Sequence, residues 1–155
     1  MRAITTSLRL LTAVVLLALL AACQTMSGPG LVQSAVTAEL TPESANAIAD
    51  DMVGRLAEHV GPGTTTIKLR GNDAHFGPAL EASLRGWGYA VVTDQATEGT
   101  AVKPLAYSID PFEGGVLVRL STLQVELTRM YTLSATGATP ASPLSVMQRG
   151  SEGAS

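Results

Sequence analysis

From Leu105 to Leu133 the chain repeats with a period of two, and this pattern limits the fold more than any other feature of the sequence. Leu105, Tyr107 and Ile109 alternate with more polar neighbours. The same holds for Val116, Val118 and Leu120, and then for Leu123, Val125, Leu127, Tyr131 and Leu133. Successive side chains on a strand point to opposite faces, so this alternation predicts strands with one buried face. "PFEGG" supplies a hairpin loop at Glu113-Gly114-Gly115. No Gly, Pro, Asn or Asp occurs from Val116 to Ser134. A tight turn must therefore lie near Ser121 to Glu126, or one strand must be long and bent; the reading adopted is two strands.

Upstream, the periodicity changes. In "TPESANAIADDMVGRLAEHVGPG", Thr41 is a good N-cap, Pro42 suits the first helical position, and Glu43 complements the helix dipole. Ala45, Ile48, Ala49, Met52, Val53, Leu56 and Val60 form an amphipathic stripe, and Gly61-Pro62-Gly63 ends the helix. Asp51 and Arg55 sit one turn apart on the side read as solvated. "TTTIKLR", Thr64 to Arg70, reads as a strand, and Gly71-Asn72-Asp73 as a turn and helix cap. A second helix is expected between Ala74 and Arg85, with Phe76, Leu80 and Leu84 inward, Pro78 in its first turn and Glu81 paired to Arg85. "YAVVT", Tyr89 to Thr93, is a short buried strand. Two early helices followed by successive strands predict an α+β fold, with both helices on one face of a small, mainly antiparallel sheet in the order α-β-α-β-β-β-β.

The first residues lie outside that fold. From Leu10 to Ala22 the chain is apolar and uncharged after Arg2 and Arg9, shorter than the roughly 20 residues that a spanning helix needs. Leu20-Ala21-Ala22-Cys23 resembles the lipobox of bacterial lipoproteins. That resemblance implies diacylglyceryl transfer to the Cys23 thiol, cleavage before it and acylation of the new amino terminus. With no Asp after Cys23, it also implies sorting to the outer membrane. Two or more acyl chains anchor stably, so no spanning helix is needed. The expected organisation is a signal peptide over 1–22, lipidated Cys23 and a flexible tether over 23–40, and a domain over 41–136. A Ser/Pro/Gly-rich tail over 137–155 completes it, with room for an edge strand at Ser145 to Met147. Leu31, Val32 and Val36 in the tether could still dock.

Loss of Arg2 and Arg9 takes the net charge from −3 to about −5, without a basic cluster, which argues against nucleic-acid binding through phosphates. His59 and His75 are the chain's two histidines, and neither has a partner at ligand spacing. His59 lies at the edge of the apolar stripe, where a packed structural histidine is the commoner case. Asp50 and Asp51 are adjacent and point about 100° apart on a helix, so they do not form a carboxylate pair. Neither Gly-x-Ser-x-Gly nor Ser-x-x-Lys occurs, and neither Gly-rich stretch matches a phosphate loop. Trp87 and Tyr89 could anchor a partner, but a core Trp at the helix-to-strand corner is the commoner arrangement. The expectation is a protein that is not an enzyme and has no catalytic, cofactor-binding or metal residues. Cys23 is its site of lipid attachment, and no small-molecule substrate is expected.

With its lipobox, two early helices, β-rich second half and closing "LTRMYTLSATGATPASPLSVMQRG", the chain resembles the TrbH family of conjugal transfer lipoproteins. Arg129-Met130-Tyr131 and Pro140 to Val146 carry that likeness. It implies a component of the mating-pair formation apparatus, a type IV secretion system, lipid-anchored at the outer membrane and facing the periplasm, with other core-complex proteins as partners. A periplasm-facing lipoprotein that regulates a cell-wall enzyme or binds a small ligand is the alternative. A partner's strand is expected to add to an edge between Leu105 and Leu133 or at Pro143 to Met147.

Overall fold

The computed structural model describes residues 34–71, 73–93 and 101–149. The signal peptide expected over 1–22 and the lipid attachment expected at Cys23 lie outside the described residues. Ten elements follow in chain order. These are β1 (Ala35–Val36), α1 (Pro42–Ala57), β2 (Thr66–Leu69), α2 (Phe76–Gly86), β3 (Ala90–Val92), β4 (Val102–Phe112), β5 (Gly115–Ser121), β6 (Val125–Ser134), β7 (Gly137–Pro140) and β8 (Ser145–Gln148).

Helix α1 forms as its sequence dictates. The Thr41 hydroxyl accepts the Ser44 N–H at 3.2 Å, Pro42 opens the helix, and the apolar stripe from Ala45 to Leu56 is fully buried. Beyond Ala57 the Leu56 carbonyl accepts the N–H groups of His59 and Val60, which closes the last turn ahead of Gly61. Asp73 starts α2: its carboxylate accepts the backbone N–H groups of His75, Phe76 and Gly77 at 2.9, 3.0 and 2.6 Å. Phe76, Leu80 and Leu84 enter the core, and Glu81 pairs with Arg85 at 2.8 Å.

The sheet runs β3-β2-β4-β5-β6-β7, with β1 added to β4 and β8 added to β6, and it curls into a half-barrel. It is mixed: four of the seven described ladders are antiparallel, in line with the expected mainly antiparallel sheet, and three are parallel, while β1, β7 and β8 add to the expected order of elements. Strand β2 runs parallel to both β3 and β4, because the β2-α2-β3 unit returns in its starting direction. Strand β4 is long enough to change partners. Val102–Leu105 lie beside β2, while Ala106–Phe112 form an antiparallel ladder with β5. On the edge of β4 beyond the end of β2, β1 pairs in parallel, Ala35 with Ser108 and Val36 with Ile109. The segment read as a tether thus contributes a strand.

Two turns set the register. Phe112 faces Gly115 across Glu113 and Gly114, both at positive φ (45° and 78°), the conformation whose twist suits a two-residue hairpin. The turn concealed between β5 and β6 is built by Thr122. Its hydroxyl accepts the N–H groups of Gln124 and Val125, and its N–H donates to the Val125 carbonyl at 2.8 Å. A side-chain hydroxyl does here what Gly or Asn commonly does.

Gly137–Pro140 and Ser145–Gln148, read as tail apart from the option of an edge strand at Ser145 to Met147, both pair with β6. The core joins α1 and α2 to alternate residues of the sheet, including Ile67, Leu105, Ile109, Val118, Leu127 and Tyr131. Among the described residues no helix is long and apolar enough to cross a membrane.

Candidate interaction surface

The polar side chains singled out by the sequence mostly serve the fold. The helical spacing puts Asp51 on a solvated face; in the structure it faces β6. Its Oδ2 accepts from the Arg129 guanidinium at 2.9 Å and from the Tyr131 hydroxyl, and Arg55 stands 3.9 Å from Oδ1. Tyr131 is fully buried, and burial pushes its hydroxyl pKa up, with the hydrogen bond to Asp51 and the carboxylate's charge adding to the shift. Arg129 also donates through Nε to the Ser142 carbonyl at 3.0 Å, so one guanidinium joins α1, β6 and the β7–β8 loop. A helical projection of α1 by itself cannot show this, because the partners arrive 78 and 80 residues later.

Asp73 is tied in a similar way. Besides three backbone N–H groups, it accepts the Tyr107 hydroxyl at 3.1 Å. Burial raises its pKa, but these four hydrogen bonds outweigh burial and hold the carboxyl below its ordinary value. Burial and the nearby Asp73 carboxylate push the Tyr107 hydroxyl pKa up, and its ring meets Phe76 edge-on at 5.1 Å. Gly71 makes room for this arrangement. At φ +149° it lies in a region that favours glycine, and a Cβ there would sit 2.4 Å from the Tyr107 hydroxyl.

A depressed carboxyl pKa in the folded state contributes stability above the unfolded value, about 3.9, and that stability is lost as pH falls through the folded value. Acid titration of unfolding should therefore show a flatter loss below about pH 4 for Asp73→Asn than for wild type. Identical acid profiles for the two proteins would show that the cap does not bind the proton differently.

His59 and His75 are both exposed, so His59 is not the packed structural histidine that the edge of the stripe suggests. The helix ends at Ala57, and His59 follows it in the turn. Among the described residues no group of three or more His, Cys, Asp or Glu is placed to hold a metal. Trp87 corrects a second expectation. It is 49% exposed and lies across α1 at Gly54, where a Cβ would be 3.2 Å from the ring. Asp50, Arg55 and Glu58 border it in a shallow cleft. Tyr89 takes the core position instead, with its hydroxyl donating to the Val60 carbonyl.

Three surfaces stand out among the described residues. The first is a groove of about 880 Å³ between the entry segment (Val36, Leu40), the starts of both helices (Ser44, Asp73, His75) and Leu133. The second is the Trp87 shelf. The third is the sheet edge at β8, whose four residues are all exposed. The sheet between Leu105 and Leu133 is largely covered, because β5 and β6 are flanked on both sides and β4 carries β2 at Val102–Leu105 and β1 at Ser108 and Ile109, while Asp110–Phe112 extend beyond β1.

A small α+β domain built around a curled mixed sheet, presenting a groove, a shelf and an open edge, is the class that these observations define. The family described as "Conjugal transfer protein TrbH" matches residues 26–150, and the chain belongs to that family. A protein of Sinorhizobium fredii (strain NBRC 101917 / NGR234), described as "Probable conjugal transfer protein TrbH", is 48% identical over 146 residues, covering 91% of this chain and 98% of that protein. No solved structure matches the chain.

Proposed function

We propose that this protein is a structural and assembly component of a conjugative type IV secretion apparatus, the machinery of mating-pair formation. It is held at the outer membrane by acylated Cys23, faces the periplasm, and works by binding other transfer proteins and not by turning over a substrate. The observation that carries this reading is the 48% identity, across nearly the full length of both chains, to a protein described as a probable conjugal transfer protein. Leu20-Ala21-Ala22-Cys23 supports the anchor, since two or more acyl chains hold a protein on a membrane without a spanning segment. The acidic balance, without a basic cluster, supports protein partners over DNA.

Two measurements test this. A clean deletion should reduce plasmid transfer while growth and wall integrity are spared; normal transfer, or a wall defect with normal transfer, overturns the conjugation role. Cys23→Ser should abolish labelling by a metabolically supplied fatty acid and leave unprocessed precursor in the inner membrane. Equal labelling of the mutant removes the anchor from the proposal.

A further inference from the structure

Strand β8 is the outer edge of its half of the sheet. It pairs with β6 in the register Val125 to Gln148, Glu126 to Met147, Leu127 to Val146 and Thr128 to Ser145. One residue further on, Arg149 donates its N–H to the Gln124 carbonyl at 2.7 Å. Bonded and non-bonded pairs alternate along an antiparallel ladder. Met147 and Ser145 therefore turn their N–H and C=O groups toward β6, whereas Val146 and Gln148 turn theirs away from it. Among the described residues no backbone bond reaches those outward groups.

Edge strands are commonly blunted by an inward charge, a proline, a bulge or a covering segment. Ser145-Val146-Met147-Gln148 has neither a charge nor a proline. The nearest charge, Arg149, is held by Glu126 on β6. Val146 and Met147, on opposite faces of the strand, are 40% and 51% exposed. Such an edge takes an extended, uncharged strand, and β8 itself is one, with one apolar residue on each face between a serine and a glutamine.

We infer that β8 pairs with the β8 strand of a second copy of this chain, antiparallel and centred on Met147. That register puts Val146 opposite Gln148 of the second copy, and Gln148 opposite its Val146. Both outward-facing residues on each copy then find N–H and C=O partners. Met147 meets its own counterpart at the central non-bonded pair, where side chains approach most closely, with Cα atoms about 4.5 Å apart. The contact is isologous and closes on itself, so it yields a dimer and not a fibre. Because the strand is uncharged, no like charges oppose each other across the seam. A four-residue seam lies at the small end of specific interfaces, so trapping is the appropriate readout.

The spacing at a central non-bonded pair falls within the Cα separation that a disulfide spans. Met147→Cys, expressed as the full chain in cells and oxidised in intact membranes, should give a covalent dimer. Wild type reports any background from Cys23. Phe112→Cys, equally a new exposed thiol but at the opposite end of the β4–β5 hairpin, should give none. Adding Val146→Pro to Met147→Cys removes an outward N–H and leaves the ladder to β6 untouched, so it should abolish the dimer while secondary structure and processing are unchanged. No dimer from Met147→Cys, equal dimer from Phe112→Cys, survival of the dimer with Val146→Pro, or crosslinking to a different protein in its place would each overturn the pairing.

Discussion

Met52→Asp should unfold the domain. Met52 lies at the middle of the α1 stripe and is completely buried among Ile48, Ala49, Val53 and Leu56. The substitution removes apolar burial worth about 1.5–3 kcal/mol and places a carboxylate within the hydrophobic core. The new group must either stay charged without a partner or take up a proton, and either course costs several kcal/mol. Against a typical total stability of about 5–15 kcal/mol, the sum leaves little or nothing. Thermal or urea unfolding of residues 31–155 should give no cooperative transition for the variant near neutral pH, or one at greatly reduced denaturant concentration. A midpoint close to wild type would mean that α1 presents a different face to the core.

The faces of the helices were legible for a simple reason: both buried stripes depend on local periodicity. Every residue assigned to the stripe of α1, from Ala45 to Val60, is buried, as are Phe76, Leu80 and Leu84 on α2. The alternation in β5 and β6 was equally plain from Val116 to Leu120 and from Val125 to Leu127, whereas Leu105, Ala106 and Tyr107 of β4 are all buried and Leu123, expected in the alternation, is exposed in the turn. Even the missing turn was placed between Ser121 and Glu126, although the Thr122 hydroxyl that forms it gives little signal in isolation.

What the sequence hid was decided by backbone pairing and by distant partners. Strands β1, β7 and β8 have two to four residues each. Hydrogen bonds to a longer strand hold them, and little of their side-chain surface is buried, so hydrophobic alternation cannot reveal them. Parallel pairing of β2 with β4 is hidden for the same reason, since it depends on where the chain returns after α2. Trp87 illustrates the converse error. A large aromatic between glycines suggests a core corner, yet Tyr89 already fills that position with its hydroxyl on the Val60 carbonyl, and Trp87 lies outside across Gly54. For the candidate surface, Pro143 to Met147 was legible as an edge because it opens on a proline and lacks charge.

Asp51→Ala should cost far more than an exposed helical carboxylate normally would, and it is the clearest test of the sheet's placement against α1. On the helix alone, Asp51 is a polar residue one turn before Arg55, and its removal should change stability by no more than about 0.5 kcal/mol. In the folded domain the deletion strands two groups at once. Arg129, with its side chain 16% exposed, loses its carboxylate partner and keeps only the Ser142 carbonyl. Tyr131, fully buried, loses the acceptor for its hydroxyl. Removing one partner of a buried charged pair costs about 3–5 kcal/mol, and Asp51 is one-quarter exposed, so water recovers part of that. A loss of about 2–4 kcal/mol is expected, with Tyr131→Phe costing about 1 kcal/mol because it removes donor and leaves a solvated acceptor. Asp50→Ala, on the exposed neighbour, supplies the contrast and should stay within about 0.5 kcal/mol of wild type. In a double-mutant cycle, Asp51→Ala with Arg129→Met should cost less than the two single changes added together, since the pair is then removed and not broken. Equal, small effects at Asp50 and Asp51 would show that β6 does not lie against this face of α1, and the link between the helix, the sheet and the loop leading into β8 would have to be redrawn.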